Sequence, residues 1–328
     1  MNQALPTSMI GPSTAPSAAP GAVCGGTVEK NIALSLPVIA WDASLSSAPP
    51  GLPYLRELLK LGARVAFNWR ATRTWLSYWN SSLFLAQLAG AQPAILKKIY
   101  RPYLFRGLDC PQRVAALCAH YDFIVQRQLG ALVALAAQAP RVLTRFTGKS
   151  GLDYRLELVA ITCMEREGEL VLQLCDSAAI IFSVAFTVMR AGQHHQLAVG
   201  CLQGGRAPDA RERIRLATRD WHGLRPHTLL MRLIQQVGSA FACDSLVLVG
   251  NANRVMLQQI RKGRVLADYD TSWRELGALR QSDGNFALAC MAPAPPDLTQ
   301  IASSKRSEAK KRHHLLVSVA DAACSALA

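Results

Sequence analysis

The sequence predicts an α+β fold, a helical lobe followed by a mixed, mainly antiparallel sheet with helices, and three observations carry the prediction. Between residues 54 and 140 apolar side chains recur three and four positions apart, the helical period. From residue 154 to 202 they alternate, the strand period. The last of those strands ends on Gly204-Gly205, and two helical stretches intervene before another apolar run at residues 245–250. A strand that returns after such a crossover lies most simply parallel to a neighbour.

Taken in order, residues 1–50 are rich in Ala, Pro, Ser, Gly and Thr, a composition that forms no core and predicts disorder. Pro49-Pro50-Gly51-Leu52-Pro53 marks its border. Residues 51–147 form the helical lobe. Leu55, Leu58, Leu59, Ala63 and Phe67 share one face of its first helix, and Leu83, Leu85, Leu88 and Ile95 mark a later one that Pro93 interrupts. Trp69, Trp75, Tyr78 and Trp79 cluster beside Arg70 and Arg73; helical aromatics of this kind anchor cores more often than they stack nucleic-acid bases. His120, within residues 114–137, reads as a packed histidine.

Residues 148–300 form the α/β core. Strands are expected at 154–160, 170–174, 180–189 and 197–202, with turns at 165–169 and at 192–195, the latter containing His194-His195. Together they make an antiparallel meander. Gly148-Lys149-Ser150 is no phosphate-binding loop, because the upstream glycine is missing. After Pro208 a helix carries Arg211, Arg215 and Arg219 on one face and Ile214, Ala217 and Trp221 on another. A second helix at 228–242, capped by Thr228, a buried strand at 245–250, a helical segment at 269–277 and a late strand at 285–290 complete the core. Residues 301–328 read as a basic terminal helix.

With 328 residues, half of them hydrophobic, the chain can bury a substantial core. Its net charge of +14 favours acidic partners: nucleic acid, a phosphorylated cofactor or an anionic membrane surface. It contains no zinc-finger spacing and no aromatic block of the kind that RNA readers use, so nucleic-acid binding has no further support. No stretch reaches the roughly 18 apolar residues of a membrane span. The nine cysteines include no C-x-x-C pair and read as small buried hydrophobes in a reducing compartment. The seven histidines do not cluster with other ligand residues, so no metal site is expected. No secretory signal is evident, and the expected compartment is the cytoplasm.

The corner between Gly204 and the second crossover helix is the candidate anion site. Its arginine stripe is either a solvated helix face or a phosphate cradle. What favours the cradle is position: the stripe follows Gly204-Gly205 and precedes His222-Gly223-Leu224-Arg225-Pro226, a turn that opens a helix whose free N–H groups suit an anion.

Several blocks in order resemble the VirK/YbjX family of bacterial proteins: Gly200-Cys201-Leu202-Gln203-Gly204, Ala217-Thr218, the His222 to Pro226 turn, Asn251-x-Asn253-Arg254-Val255 and Ala267-Asp268-Tyr269-Asp270-x-x-Trp273-x-Glu275-Leu276-Gly277. The resemblance runs from about Tyr100 onward; Ala278 stands where the family pattern has a second glycine. It implies a role in virulence or stress adaptation and names no reaction. The order of elements is also similar to the GNAT-like acyltransferase core, whose central strands splay around the pantetheine arm while a helix N-terminus takes the pyrophosphate of coenzyme A. Residues 219–230 resemble that fold's phosphate loop, with Pro226 and His227 where glycine is usual, and residues 269–277 resemble its tyrosine-bearing helix.

This second resemblance implies an acyl-CoA or acyl-carrier donor. His222 would be the base, Tyr269 the acid, and Gly204, Gly205, Arg219, Gly223 and Arg225 the anion cradle. Capping for His222 and core filling for Tyr269 are the competing structural roles. The other functional class is a non-catalytic module that holds an anionic partner on its basic surface, to which the run from Lys305 to His314 contributes.

Overall fold

The structure, a computed structural model, describes residues 38–46, 50–256 and 267–327. The helical lobe comprises α1 (Leu52–Phe67), α2 (Trp69–Trp79), α3 (Leu83–Ala91), a 3-10 segment (Pro93–Tyr100), α4 (Cys110–Gln126) and α5 (Gly130–Gln138). Five strands follow: β1 (Arg141–Thr147), β2 (Asp153–Ala160), β3 (Leu170–Cys175), β4 (Ile180–Ala191) and β5 (His194–Gly204). The crossover helices α6 (Ala210–Asp220) and α7 (Pro226–Ala240) lead to β6 (Cys243–Leu248). Then come α8 (Tyr269–Glu275), β7 (Leu279–Arg280), β8 (Phe286–Ala289) and the terminal α9 (Ser303–Ala326).

The strands form one sheet in the order β1-β2-β3-β4-β5-β6-β8-β7. Strands β1 to β5 are an antiparallel meander, β6 lies parallel to β5, and β8 and β7 extend it antiparallel. The expected architecture is the observed one. Both faces of the central strands are buried, as their near-continuous apolar character requires. The row Leu158, Leu172, Val184 and Leu202 faces the main core, which α4, α5, α7 and α9 complete. The row Val159, Val171, Ala185 and Cys201 faces the other way, against Cys163 and Met164 of the β2–β3 loop. Beside it in register runs a polar row, Glu157, Gln173, Ser183 and Gln203.

Local signals account for the lobe. Asp109 accepts the N–H of Gln112 at 2.8 Å while the Gln112 side chain accepts the N–H of Asp109 at 2.9 Å, a reciprocal cap that starts α4. Trp75 and Trp79 are buried and Trp79 meets Tyr121 with ring centroids 5.0 Å apart, so the aromatic cluster is core.

The structure corrects several expectations. Strand β1 lies in the stretch assigned to the helical lobe; it is a largely exposed edge strand bearing Arg141 and Arg145, and such edges carry a weak apolar signature. Of the disorder expected over residues 1–50, residues 1–37 and 47–49 lie outside the described residues, but within 38–46 a 3-10 turn buries Leu45, and the N–H of Ile39 is held by Asn80. On α1 the buried residues are Leu61 and Val65, whereas Leu55, Leu59, Ala63 and Phe67 face solvent. His194 and His195 begin β5 rather than forming the turn. Thr228 does not cap α7; the helix starts earlier, with Pro226 in its first turn and Arg225 at the N-cap.

Candidate anion site and the parted strands

Helix α6 ends at Trp221, whose indole is fully buried with its ring 5.0 Å from that of Tyr154. His222 and Gly223 then take left-handed conformations, φ +56° and +80°, which reverse the chain into α7. Arg225 occupies the N-cap of α7 without any side-chain cap, and Pro226 lacks an N–H, so the first free backbone donors belong to His227 and Thr228. A groove of about 410 Å³ opens there, lined by Ile214, Arg215, Thr218, Arg219, Gly223, Arg225 and His227.

The charge in the groove is uneven. Arg215 is held by Glu212 at 2.6 Å, whereas Arg219 and Arg225 have no carboxylate partner among the described residues. A further cation reaches the turn from α9: Nη1 of Arg312 lies 3.6 Å from where a Cβ on Gly223 would be. Burial, then the neighbouring Arg225, pushes the His227 imidazole below its usual pKa, so it is neutral near pH 7. Its ring lies 6.0 Å from that of Phe182.

The double glycine sits behind this groove. The Ile214 side chain, part of the lining, lies 3.2 Å from where a Cβ on Gly204 would stand. Gly205 donates its N–H to the Ile181 carbonyl at 2.9 Å, and a Cβ there would stand 1.9 Å from the Ile180 carbonyl oxygen. The close approach of β4 therefore demands a glycine at 205.

A second feature lies where β5 and β6 part. Their pairing runs from His195 with Cys243 to Val199 with Leu248, and the Val249 N–H bonds the Val199 carbonyl. Beyond it the chain after β6 turns away into the 3-10 segment Asn251–Asn253, while β5 continues to Gly204. Tyr269 and Trp273 of α8 fill the gap. The Tyr269 hydroxyl accepts the Leu202 N–H at 2.8 Å and donates to Cys201 Sγ at 3.3 Å, and Trp273 donates its indole N–H to the Val249 carbonyl at 2.8 Å. The guanidinium of Arg254, itself buried, stacks on the Tyr269 ring at 3.7 Å. Burial foremost raises the Tyr269 hydroxyl well above its usual pKa and keeps its proton in place.

Asparagines and aspartates hold α8 in this position. Asp268 caps the helix by accepting from the Thr271 N–H and from Asn251 Nδ2. Asn251 in turn accepts the Tyr269 N–H at 2.9 Å and gives its own N–H to Asp270 at 2.7 Å. The blocks around Asn251 and Tyr269 thus form one clasp closing the gap. The turn after α8 uses Gly277 at φ +83°, and Ala278 follows it without a left-handed conformation.

Of the residues singled out from the sequence, Arg219, Gly223 and Arg225 share the groove and Gly204 backs it. Gly205 lies in the β4 contact and Tyr269 between the parted strands. His222 shapes the turn, and its ring has no hydrogen-bond partner among the described residues. Sequence reasoning passed over His227 as a ligand-facing residue; its place in the first turn of α7, beside Arg225, was the available signal. No cluster of three or more metal-ligating side chains occurs among the described residues. Among them no helix is long and apolar enough to cross a membrane.

The family described as "Protein of unknown function (DUF535)" matches residues 51–325. The chain belongs to this family. The DUF535 chain is 26% identical over 246 residues to the uncharacterized protein YbjX of Escherichia coli K12, covering 74% of this chain and 73% of that one, which bears out the VirK/YbjX resemblance. An uncharacterized protein of Haemophilus influenzae Rd is 26% identical over 137 residues, 42% of this chain and 45% of that one. Among solved structures, a single-residue mutant of a cAMP-binding acyltransferase from Mycobacterium smegmatis matches 57% of the DUF535 chain and 61% of its own length, with TM-score 0.30 and 15% identity. The same acyltransferase without that substitution matches 61% and 64%, with TM-score 0.26 and 13% identity.

Proposed function

We propose that this protein is an acyltransferase of GNAT-like build that takes a phosphorylated acyl donor, acyl-CoA or an acyl carrier, at the groove over the start of α7. One observation carries the reading: two arginines without carboxylate partners among the described residues, a neutral histidine and the uncapped first turn of a helix converge over the ends of β4 and β5, where Phe182 pairs with Gly204. Arg219, Arg225 and the N–H groups of His227 and Thr228 would hold the donor's phosphates, and the helix dipole adds to their attraction. The groove volume of about 410 Å³ falls in the range of small-molecule sites.

Transfer needs a group to take the acceptor's proton and one to supply a proton to the leaving thiolate. His222, half-buried at the turn, is our base, and Tyr269, which keeps its proton, is our acid. Eight described cysteines are free thiols, which suits a cytoplasmic protein.

A second reading keeps the groove and drops the chemistry. It is favoured by the Tyr269 hydroxyl, whose donor and acceptor are both engaged within the protein. On that reading the chain is an accessory module for a phosphorylated partner in virulence or stress adaptation.

The test is thermal stabilisation of the full chain by coenzyme A and acetyl-CoA, followed by transfer to amine and hydroxyl acceptors. Stabilisation lost in Arg219→Ala and Arg225→Ala, with turnover lost in Tyr269→Phe, is expected. No shift at millimolar ligand sinks both readings for this donor, and a shift without turnover leaves the binding module.

A further inference from the structure

We propose that the outward side of α1, with the corner between α1 and α2, docks on an anionic lipid bilayer. Helix α1 already has an apolar side turned inward: Leu61 and Val65 are buried, and with half-buried Tyr54 and Leu58 they pack on Trp41, Leu45 and Tyr100. A second apolar stripe faces solvent. Leu52, Leu59 and Phe67 are 83%, 66% and 91% exposed, Leu55 and Trp69 are at least half exposed, and Ala63 and Ala66 are open as well. At 3.6 residues per turn, Leu52, Leu55, Leu59, Ala63 and Ala66 fall within about 80° of one another, a continuous band along the helix. A protein gains nothing in water from leaving such a band open, and contiguous exposed apolar surface marks an interaction site.

Charge selects the occupant. Exposed Arg56, Lys60 and Arg64 border the band, and exposed Arg70 and Arg73 continue past the corner on α2. Glu57 is the one carboxylate on the two helices, and it is paired with Lys60 at 2.9 Å. A second copy of this surface would bring like charges together. An anionic bilayer instead offers negative headgroups to the cations and acyl chains to the leucines, with Phe67 and Trp69 at the boundary. That is the residue distribution of helices that lie in the membrane interface. The surface requires no membrane span, and it is separate from the residues of the groove.

Trp69 supplies a direct reporter. Trp75, Trp79, Trp221 and Trp273 are at most 1% exposed and Trp41 is half-buried, so Trp69 is the only largely exposed tryptophan of the six. The experiment is flotation of the full chain with vesicles of phosphatidylcholine alone and with added phosphatidylglycerol, together with quenching of tryptophan emission by brominated acyl chains. The expected result is flotation with the anionic vesicles and quenching that Trp69→Phe removes. Leu55→Ser/Leu59→Ser/Phe67→Ser should weaken binding by about tenfold or more. Circular dichroism melts should be unchanged in that variant, since the three side chains face water.

Absence of flotation with anionic vesicles overturns the proposal. So does binding that the triple substitution leaves intact, which would assign the attraction to cations elsewhere on the chain. Self-association that the triple substitution abolishes, without vesicle binding, would make a second copy the occupant and overturn it as well.

Discussion

The hydroxyl of Tyr269 accepts the backbone N–H of Leu202 at 2.8 Å, so a side chain from α8 takes the place of a neighbouring strand along the far end of β5. The divergence of β6 leaves that amide without a ladder partner, and a buried amide must find an acceptor. Arg254 stacked on the ring and the Asn251, Asp268 and Asp270 clasp hold the phenol there.

Tyr269→Phe keeps the ring and removes the acceptor. The buried Leu202 N–H is then unsatisfied, and stability should fall by about 1–3 kcal/mol. Urea denaturation measures this; an unchanged midpoint would mean that the amide finds another partner at no cost.

Arg219→Ala and Arg225→Ala remove cations that have no carboxylate partner among the described residues. Each should leave stability within about 0.5 kcal/mol of the parent, as surface substitutions do. Coenzyme A affinity should drop by about tenfold for each, the weight of one charge-assisted hydrogen bond. Isothermal titration separates the two effects.

Lys98 and Glu169 form a buried ion pair at 2.7 Å, and Tyr121 donates to the second carboxylate oxygen. Burial raises the Glu169 pKa, but Lys98 and the other partners outweigh it and hold the carboxyl below its usual value. Lys98→Met should destabilise by about 3–5 kcal/mol because the carboxylate stays behind uncompensated. Lys98→Met/Glu169→Leu should recover part of that loss in thermal denaturation. A double variant worse than the single would show that Glu169 serves Tyr121 more than Lys98.

His120 is fully buried, and its Nδ1 accepts the Val188 N–H while Nε2 has no partner among the described residues. Burial lowers its pKa from 6.5 to about 4. Between those values the unfolded chain binds a proton that the folded one refuses, so stability falls as pH drops from about 6.5 toward 4, by up to about 3 kcal/mol. Lys98 and Glu169 are the charged groups that face it, with opposing effects on the imidazole. Glu169, whose folded pKa is lowered, adds its own loss below its usual carboxylate pKa. Denaturation of the parent and of His120→Gln across this range should show a shallower decline in the variant above pH 5. Parallel declines would remove His120 from the account.

The meander and the parallel return of β6 were legible because alternation, glycine-ended strands and crossover length are local properties of the chain. Arg219, Gly223 and Arg225 could be placed together for the same reason, since one helix and one turn carry them. The faces of α1 were not legible: apolar spacing shows that a stripe exists, and Leu55 and Leu58 look alike until Trp41, Leu45 and Tyr100 choose the side to cover. Gly205 was read as room for a ligand, and the structure shows the Ile180 carbonyl in that room.

Residue order by itself determined the period of each element, the basic turn ahead of α7 and the family to which the chain belongs. Tertiary structure decided which apolar stripe is covered, that His227 rather than His222 lines the groove, and that Tyr269 closes the gap between β5 and β6. The physical reason is that periodicity and turn chemistry act between residues a few positions apart. Burial and hydrogen-bond satisfaction are relations between surfaces: Tyr269 reaches Leu202 across 67 positions of sequence, a distance that no local pattern spans.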